Sequence, residues 1–318
     1  MCTAVHFGNF FGRNLDLDFS YNEQVVITPK NFPLTFRTMP TLSSHFAILG
    51  IGIAIDGYPL YFDAMNEAGL CCAGLNFPQD AHYFPLCHGA DNLAPFELIP
   101  YILAKCESVL SAKNLLSRIN IADISFSEKF PNSPLHWIIA DKDYSIVLEQ
   151  TKNGLKIYDN PVGILTNSPT FDFHILNLSN YLNITAKEPE NRFSEKIPLS
   201  TYSRGMGGMG LPGDLSSSSR FVRGAFTLLN SLDCDISQFF HILGNVAQPK
   251  GAVCVGDGYE YTIYSSCCDM DNLIYYYTTY ENPAPSAVHL KEENLSADKL
   301  FTYPIEKTLY INQINKKT

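Results

Sequence analysis

Hydrophobic and polar positions change period several times along the chain. The first ~90 residues read as short strands. Thr3 to Phe7 is one, and Phe10 to Asn14 resumes after a short turn. Gln24 to Thr28 is β-branched, and Phe46 to Ile55 is a continuous apolar run. Tyr58 to Phe62 and Leu70 to Asn76 follow, joined by Asn66-Glu67-Ala68-Gly69, a hairpin turn ending in glycine. Residues 80–91 read as a loop. Helical spacing then takes over. Pro95 suits the first turn of a helix through Phe96, Ile99, Ile102 and Leu103. A second helix starts near Ser108 and carries Val109, Leu110, Leu115, Leu116 and Ile119. Strands return at 135–140, 145–150 and 155–158, separated by Asp141-Lys142-Asp143 and Lys152-Asn153-Gly154. Residues 171–181 read as helical, and 188–214 as a polar, then glycine-rich excursion. Residues 216–232 and 236–246 are two further helices. Residues 259–268, 273–280 and 287–290 finish the chain as strands.

Strands, helices, strands, helices, strands is not the alternation of a parallel βαβ fold. It predicts an α+β protein with two antiparallel sheets and helical layers outside them. No linker or repeat divides residues 1–318, so a single domain is expected. Gly205-Met206-Gly207-Gly208-Met209-Gly210 satisfies a dinucleotide-binding pattern literally, but no strand precedes it and no helix follows. There is no P-loop, no G-x-S-x-G elbow and no His-Glu-x-x-His.

The 22 basic and 32 acidic residues leave a net charge of −10, without a Lys/Arg block. Nucleic acid is therefore not an expected partner. The longest apolar run falls far short of the ~20 residues of a membrane helix. With no targeting segment in sight, a soluble, cytoplasmic protein is expected. The nine cysteines are odd in number and lack any C-x-x-C pair. Cys71-Cys72 and Cys267-Cys268 fall within strands, where neighbours face opposite ways, so small buried hydrophobes are expected rather than metal ligands.

Cys2 follows the initiator methionine. Removing Met1 gives this residue a nucleophilic thiol and an α-amine that can accept its proton. A hairpin here would return Arg13 and Asp16 to the neighbourhood of Cys2. A guanidinium favours a thiolate, and a carboxylate can orient an amine. A surface pair is the competing reading for Arg13 and Asp16. Asn76 and Asn167 each close an apolar strand, where asparagine is also an ordinary turn residue. Arg220 sits near the start of a helix, with Arg223 three residues on.

Met1-Cys2-Thr3 and Phe11-Gly12-Arg13-Asn14-Leu15-Asp16 resemble the start of the choloylglycine hydrolase family, which contains bile-salt hydrolases and penicillin V acylases. Further blocks resemble the family in order: Tyr58-Pro59-Leu60-Tyr61, Met65-Asn66-Glu67, Ala73-Gly74-Leu75-Asn76-Phe77, Leu165-Thr166-Asn167-Ser168-Pro169, Gly210-Leu211-Pro212-Gly213-Asp214 and Ser219-Arg220-Phe221-Val222. The resemblance spans essentially the whole chain. It implies the four-layer αββα sandwich of N-terminal-nucleophile hydrolases and cleavage of a linear amide through a Cys2 thioester. It also implies site roles. Arg13 and Arg220 supply positive charge, Asp16 holds the amine, and the Asn76 backbone N–H and Asn167 side-chain amide form an oxyanion hole. Leu15, Tyr21, Ile55, Phe62, Phe126, Phe130 and Leu135 become candidate walls of an apolar substrate pocket, each otherwise plain core. Asn76 in Gly-Leu-Asn-Phe resembles the bile-salt branch, so glycine- and taurine-conjugated bile salts are the expected substrates. A penicillin V acylase is the alternative, and a non-catalytic binding protein on the same scaffold is the alternative of another class. No metal or cofactor is implied. Residues 188–214 resemble the family's assembly loop, which implies a homotetramer.

Overall fold

The computed structural model describes residues 1–316. The strands β1 (Cys2–Phe7), β2 (Phe10–Leu17), β3 (Gln24–Thr28), β4 (Ile48–Ile55), β5 (Tyr58–Asn66), β6 (Cys71–Asn76) and β7 (Asp91–Leu93) come first. Helices α1 (Leu98–Lys105) and α2 (Val109–Leu116) follow. Next come β8 (Ile119–Ile121), β9 (Leu135–Ala140), β10 (Ser145–Thr151), β11 (Gly154–Asp159) and β12 (Ile164–Leu165). Helices α3 (Phe171–Asn177), α4 (Ser217–Leu229) and α5 (Ile236–Gly244) precede β13 (Val253–Val255), β14 (Gly258–Asp269), β15 (Ile274–Thr279), β16 (Ser286–His289) and β17 (Phe301–Pro304).

Two antiparallel sheets organise these strands. One runs β12-β1-β2-β14-β15-β16, with β13 beside β14. The other runs β11-β10-β9-β6-β5-β4-β3-β17. Strand alternation decides what each face meets. In β3, Val25 and Ile27 enter the core between the sheets, whereas Val26 enters the core under α1 and α2. Cys71, Ala73 and Leu75 likewise face the first sheet, and Cys72 faces the helices. On the far side of the first sheet, Phe221, Ala225, Phe239 and Ile242 of α4 and α5 close the fourth layer. The result is the expected αββα sandwich. All nine cysteines are free thiols.

Some local expectations change. The second helix stops at Leu116, and Leu110 is 70% exposed. Ile119, read as its continuation, instead starts β8 and pairs in parallel with β7, at the end of a stretch read as loop. The apolar spacing was helical by coincidence across the turn at Ser117–Arg118. β17, which closes the edge of the second sheet against β3, is not among the expected strands: Phe301-Thr302-Tyr303-Pro304 is only four residues long and ends in a proline, which a strand tolerates at an edge. Residues 188–214 form an exposed excursion containing one short 3-10 turn at Met206–Gly208. Among the described residues, no helix is long and apolar enough to cross a membrane.

Candidate active site

Cys2 opens β1 and is 2% exposed. In the β1–β2 hairpin Cys2 pairs with Leu15, and Ala4 with Arg13. Gly8 makes the reversal at φ +57°, a conformation that costs glycine little. Side chains alternate across a strand, so Arg13 and Leu15 share the inter-sheet face with Cys2, and Asn14 and Asp16 take the other.

The inter-sheet face holds one arginine. β5 carries an extra residue opposite β4: Ile51 pairs with Asp63 and Gly52 with Tyr61, leaving Phe62 between them. Such a bulge redirects a side chain and frees its carbonyl. Pairing of β5 with β6 also stops at Asp63–Ala73. The Arg13 guanidinium enters this split. Its Nη1 donates to the Phe62 carbonyl at 3.1 Å and the Gly74 carbonyl at 2.5 Å. Burial alone would depress its charge, but Cys2, Tyr264, Asp63 and Asp16 together hold its pKa above the ordinary value.

The second arginine comes from the helical layer. Ser216 caps α4 by accepting from Ser219 N–H, which puts Arg220 in the first turn, pointing down onto β1. Arg220 Nη1 donates to the Cys2 carbonyl at 2.5 Å and to Thr3 Oγ1 at 2.6 Å, and its Nη2 donates to Asn167 Oδ1 at 2.7 Å. Burial lowers the Arg220 pKa, partly offset by Asp16, Cys2 and Glu260. Cys2 and Arg220 thus meet through backbone and amide, not through the thiol.

Asn167 follows β12, whose two residues add to β1 through Ala4–Leu165 and Val5–Ile164. Its Oδ1 also accepts from Cys2 N–H at 2.8 Å, and its Nδ2 donates to the Asn76 carbonyl at 2.7 Å. One Nδ2 hydrogen is left over. Asn76 pairs with Leu135, and Phe77 N–H donates to the Pro134 carbonyl. This makes Asn76–Leu135 a non-hydrogen-bonded pair, so the Asn76 N–H points away from β9 toward the split beside β6. Two N–H groups therefore remain for a ligand oxygen near Cys2.

Asp16 lies on the opposite face from the thiol. A second bulge in β14, between Thr262 and Tyr264, sets Thr262 opposite Asp16. Thr262 Oγ1 donates to its carboxylate at 2.6 Å and Gln248 Nε2 at 3.1 Å. Burial raises the Asp16 pKa, against the lowering effect of Arg220 and Thr262. Met1 continues the ladder: its amine donates to the Asp16 carbonyl at 2.8 Å and lies 2.5 Å from Glu260 Oε2, and the Asp16 N–H donates to the Met1 carbonyl.

A cavity of about 500 Å³ opens over Cys2, Arg13, Gly74 and Asn76. Of the candidate wall residues, Leu15, Tyr21, Phe62, Phe126, Phe130 and Leu135 line it. Ile55 does not. It lies on the same face as Ile53 but two residues further, about 7 Å along β4, past the rim. Ile53 and its partner Leu60 take that part of the wall. Phe96 completes an aromatic corner with Phe126, their centroids 5.2 Å apart at 89°. Sequence reading missed Ile53, Leu60 and Phe96; for Leu60 the signal was present in the Tyr58–Tyr61 block. It also missed Asp63, buried behind Arg13. The Tyr264, Tyr275 and Ser266 hydroxyls donate to the Asp63 carboxylate. Burial raises its pKa, against the Arg13 charge.

Comparison with known proteins identifies the family. Residues 2–303 match the model of the linear amide C-N hydrolases, choloylglycine hydrolase family. A bile salt hydrolase/transferase of Lactiplantibacillus plantarum is 53% identical, over 99% of this chain and 100% of its own. A second protein of that name, from Clostridium perfringens, is 41% identical over 99% and 100%. The crystal structure of a mutant conjugated bile acid hydrolase from Clostridium perfringens superposes with a TM-score of 0.93 at 40% identity, covering 99% of this chain and 100% of that one. A penicillin V acylase from Agrobacterium tumefaciens shares the fold, with a TM-score of 0.75 at 20% identity over 95% and 90% of the two chains. A chain matched from its second residue almost to its end, with a cysteine opening its first strand beside a largely apolar cavity, belongs to the choloylglycine hydrolase family of linear amide hydrolases.

Proposed function

We propose that this protein hydrolyses the amide of glycine- and taurine-conjugated bile salts, with Cys2 as nucleophile after loss of Met1. The observation that carries the reading is the joint placement of Cys2, Arg13 and Asn76 in a cavity whose remaining lining is mostly apolar and aromatic, with Lys129, Asn132 and Ser133 as its polar members. A steroid needs such walls, with polar groups only at the scissile amide. The names of the most similar relatives point the same way.

In the proposed cycle the Cys2 α-amine accepts the thiol proton and Sγ attacks the amide carbonyl carbon. The oxyanion receives the free N–H of Asn76 and the spare Nδ2–H of Asn167. The amine then gives its proton to the departing glycine or taurine nitrogen as the C–N bond breaks, leaving an acyl thioester on Cys2. Water, deprotonated by the same amine, attacks the thioester. The thiolate leaves, is reprotonated, and free bile acid departs. An amine in place of that water would return an amide, which is how a transferase activity would arise here. Arg13 supplies positive charge on the thiol face, and Arg220 holds the Cys2 carbonyl and the Asn167 amide. Asp16 orients the α-amine once Met1 no longer occupies its backbone.

The decisive experiment is release of glycine and taurine from glycocholate and taurocholate, with Cys2→Ala as control. Release that disappears in the control supports both substrate and nucleophile. No release from the untagged parent shifts the reading to phenoxymethylpenicillin. Bile-salt binding without turnover of either substrate makes it a binding protein.

The same reading includes a cytoplasmic homotetramer of one-domain protomers, with neither nucleic acid nor membrane as partner. In support, the excursion exposes Phe193, Leu199, Tyr202 and Met209, several large apolar side chains within one loop. Light scattering of the purified protein tests it, and a monomeric mass would refute the assembly.

A further inference from the structure

Two histidines are buried behind the site, and no step of the proposed cycle uses them. His136 on β9 and His174 on α3 have no solvent exposure. His136 Nε2 is 3.0 Å from the Thr166 carbonyl, and its Nδ1 is 3.1 Å from Glu149 Oε1. His174 Nε2 is 2.8 Å from the Asn167 carbonyl. A carbonyl only accepts, so each ring carries a proton on Nε2, and the contact between His136 Nδ1 and the Glu149 carboxyl holds a second proton shared by that pair. The rings are also clamped. His136 stacks on Phe77 at 4.3 Å and 9°, and His174 stacks on Phe221 at 4.8 Å and 14°. Phe77 directly follows Asn76, and Phe221 directly follows Arg220.

We propose that His136 and His174 are positioning residues, which hold the Asn167 amide in register with Asn76 and Arg220 and so set the geometry of the oxyanion donors. The inference rests on the amide-hydrolase reading. The two rings approach from different layers, one from the second sheet and one from a helix, and donate to successive carbonyls of the segment that leaves the edge of the first sheet. Ser217 Oγ accepts the Asn167 N–H at 2.9 Å. Together with His174 it fixes both sides of the Asn167 backbone. The side-chain amide already bonds Cys2, Arg220 and Asn76, so the direction of its last hydrogen follows from that clamp.

The histidines are an expensive way to fill these positions. Among the described residues, His174 Nδ1 and Glu149 Oε2 are buried without partners, and apolar side chains would avoid that loss. Burial pushes His174 down to about 4, so the ring stays neutral and keeps a single donor, directed at Asn167. A packing role alone needs the ring and not the donor.

His174→Phe keeps an aromatic face and loses the donor. His174→Gln loses the ring and keeps an N–H. The readouts are kcat and KM for glycocholate, and the rate of Cys2 alkylation by iodoacetamide, which needs the thiolate but no oxyanion donor. The expected result for His174→Phe is a kcat lowered about 10- to 100-fold, with KM and alkylation unchanged. His174→Gln should recover part of the loss, and His136→Phe should behave like His174→Phe. Phenylalanine variants with parental kcat overturn the proposal. So does alkylation that falls in step with turnover, which would mean general loosening. A parent protein that alkylates but turns over neither glycocholate nor phenoxymethylpenicillin refutes the amide-hydrolase reading itself, and this one with it.

Discussion

The two ends of the cavity are built in opposite ways. At the inner end Cys2 and Arg13 line the cavity and Asp16, Asn167 and Arg220 pack behind them; all five are almost fully buried, and nearly every polar atom has a partner. They sit on strand ends and a capped helix, locked by two bulges and a split in the second sheet. At the outer end the walls are rings on loops: Phe19 is 50% exposed and Tyr21 38%. Phe126 is steadied by Phe96 and by Arg37, whose guanidinium lies 5.5 Å from its ring and donates to its carbonyl at 2.6 Å. The inner end tolerates no displacement because a reaction needs fixed distances. The outer end grips by area, and area survives small shifts. Damage to the first should therefore appear in kcat and damage to the second in KM.

The sharpest break in this contrast is a blocked N-terminus. With Met1 retained, or with residues added before it, the Cys2 nitrogen remains an amide that donates to Asn167 Oδ1. An amide cannot accept the thiol proton. Turnover should fall by about 10²–10⁴-fold, the usual worth of a positioned base, while bile-salt binding measured by calorimetry is kept. Full activity in an N-terminally tagged protein whose tag is verified by mass spectrometry would sink the mechanism.

A second test concerns stability and the inner end alone. His174 titrates at about 4 in the folded chain, against an ordinary 6.5. Desolvation is the main cause, and His136 on β9 and Arg220 on α4 add to it. Above pH 6.5 the ring is neutral folded or unfolded, and nothing is lost. Between pH 6.5 and 4 only the unfolded chain takes the proton, so stability drops as pH falls, by up to about 3 kcal/mol. Asp16 and Asp63, with raised pKa values, act in the reverse sense. Urea unfolding of parent and His174→Gln from pH 7 to 4 isolates the difference, which should shrink steadily toward acid. A constant gap would mean that His174 carries no such burden.

How much of this was legible in the sequence follows the range of the contacts. The β1–β2 hairpin is local, so a short turn between two strand-like runs was enough to bring Arg13 back beside Cys2. The same register turns Asp16 to the opposite face, a consequence of the two-residue period that the composition of the stretch does not display. Asn76 and Asn167 were recognisable only through family blocks. Their donor geometry depends on where β5 parts from β6 and where a two-residue strand joins β1, both set by partners far away in the chain. The aromatic corner was half legible. Phe126 and Phe130 were expected, but Phe96 read as the first turn of a helix. The histidine pair was invisible, because a buried histidine looks like any other until its carbonyl partner is known. Ile119 shows the converse error, a helical spacing that continued across a turn.

The smallest effect separates wall from core at the outer end. Phe126 lines the cavity, touches Phe96 and Phe130, and makes no hydrogen bond to the inner network. Phe126→Ala removes apolar area from the wall and leaves the strands untouched. It should raise KM for glycocholate by roughly 10-fold, corresponding to about 1–2 kcal/mol of lost burial, with kcat unchanged. Ile55→Ala is the matched control: it removes apolar area of a similar kind from a position beyond the rim, so KM should not move. Equal changes in the two variants would mean that the steroid reaches past Ile53 to the β4–β5 turn. A fall in kcat for Phe126→Ala would mean that the aromatic corner also orients the amide over Cys2, and the division between a rigid inner end and an adaptable outer end would have to be redrawn.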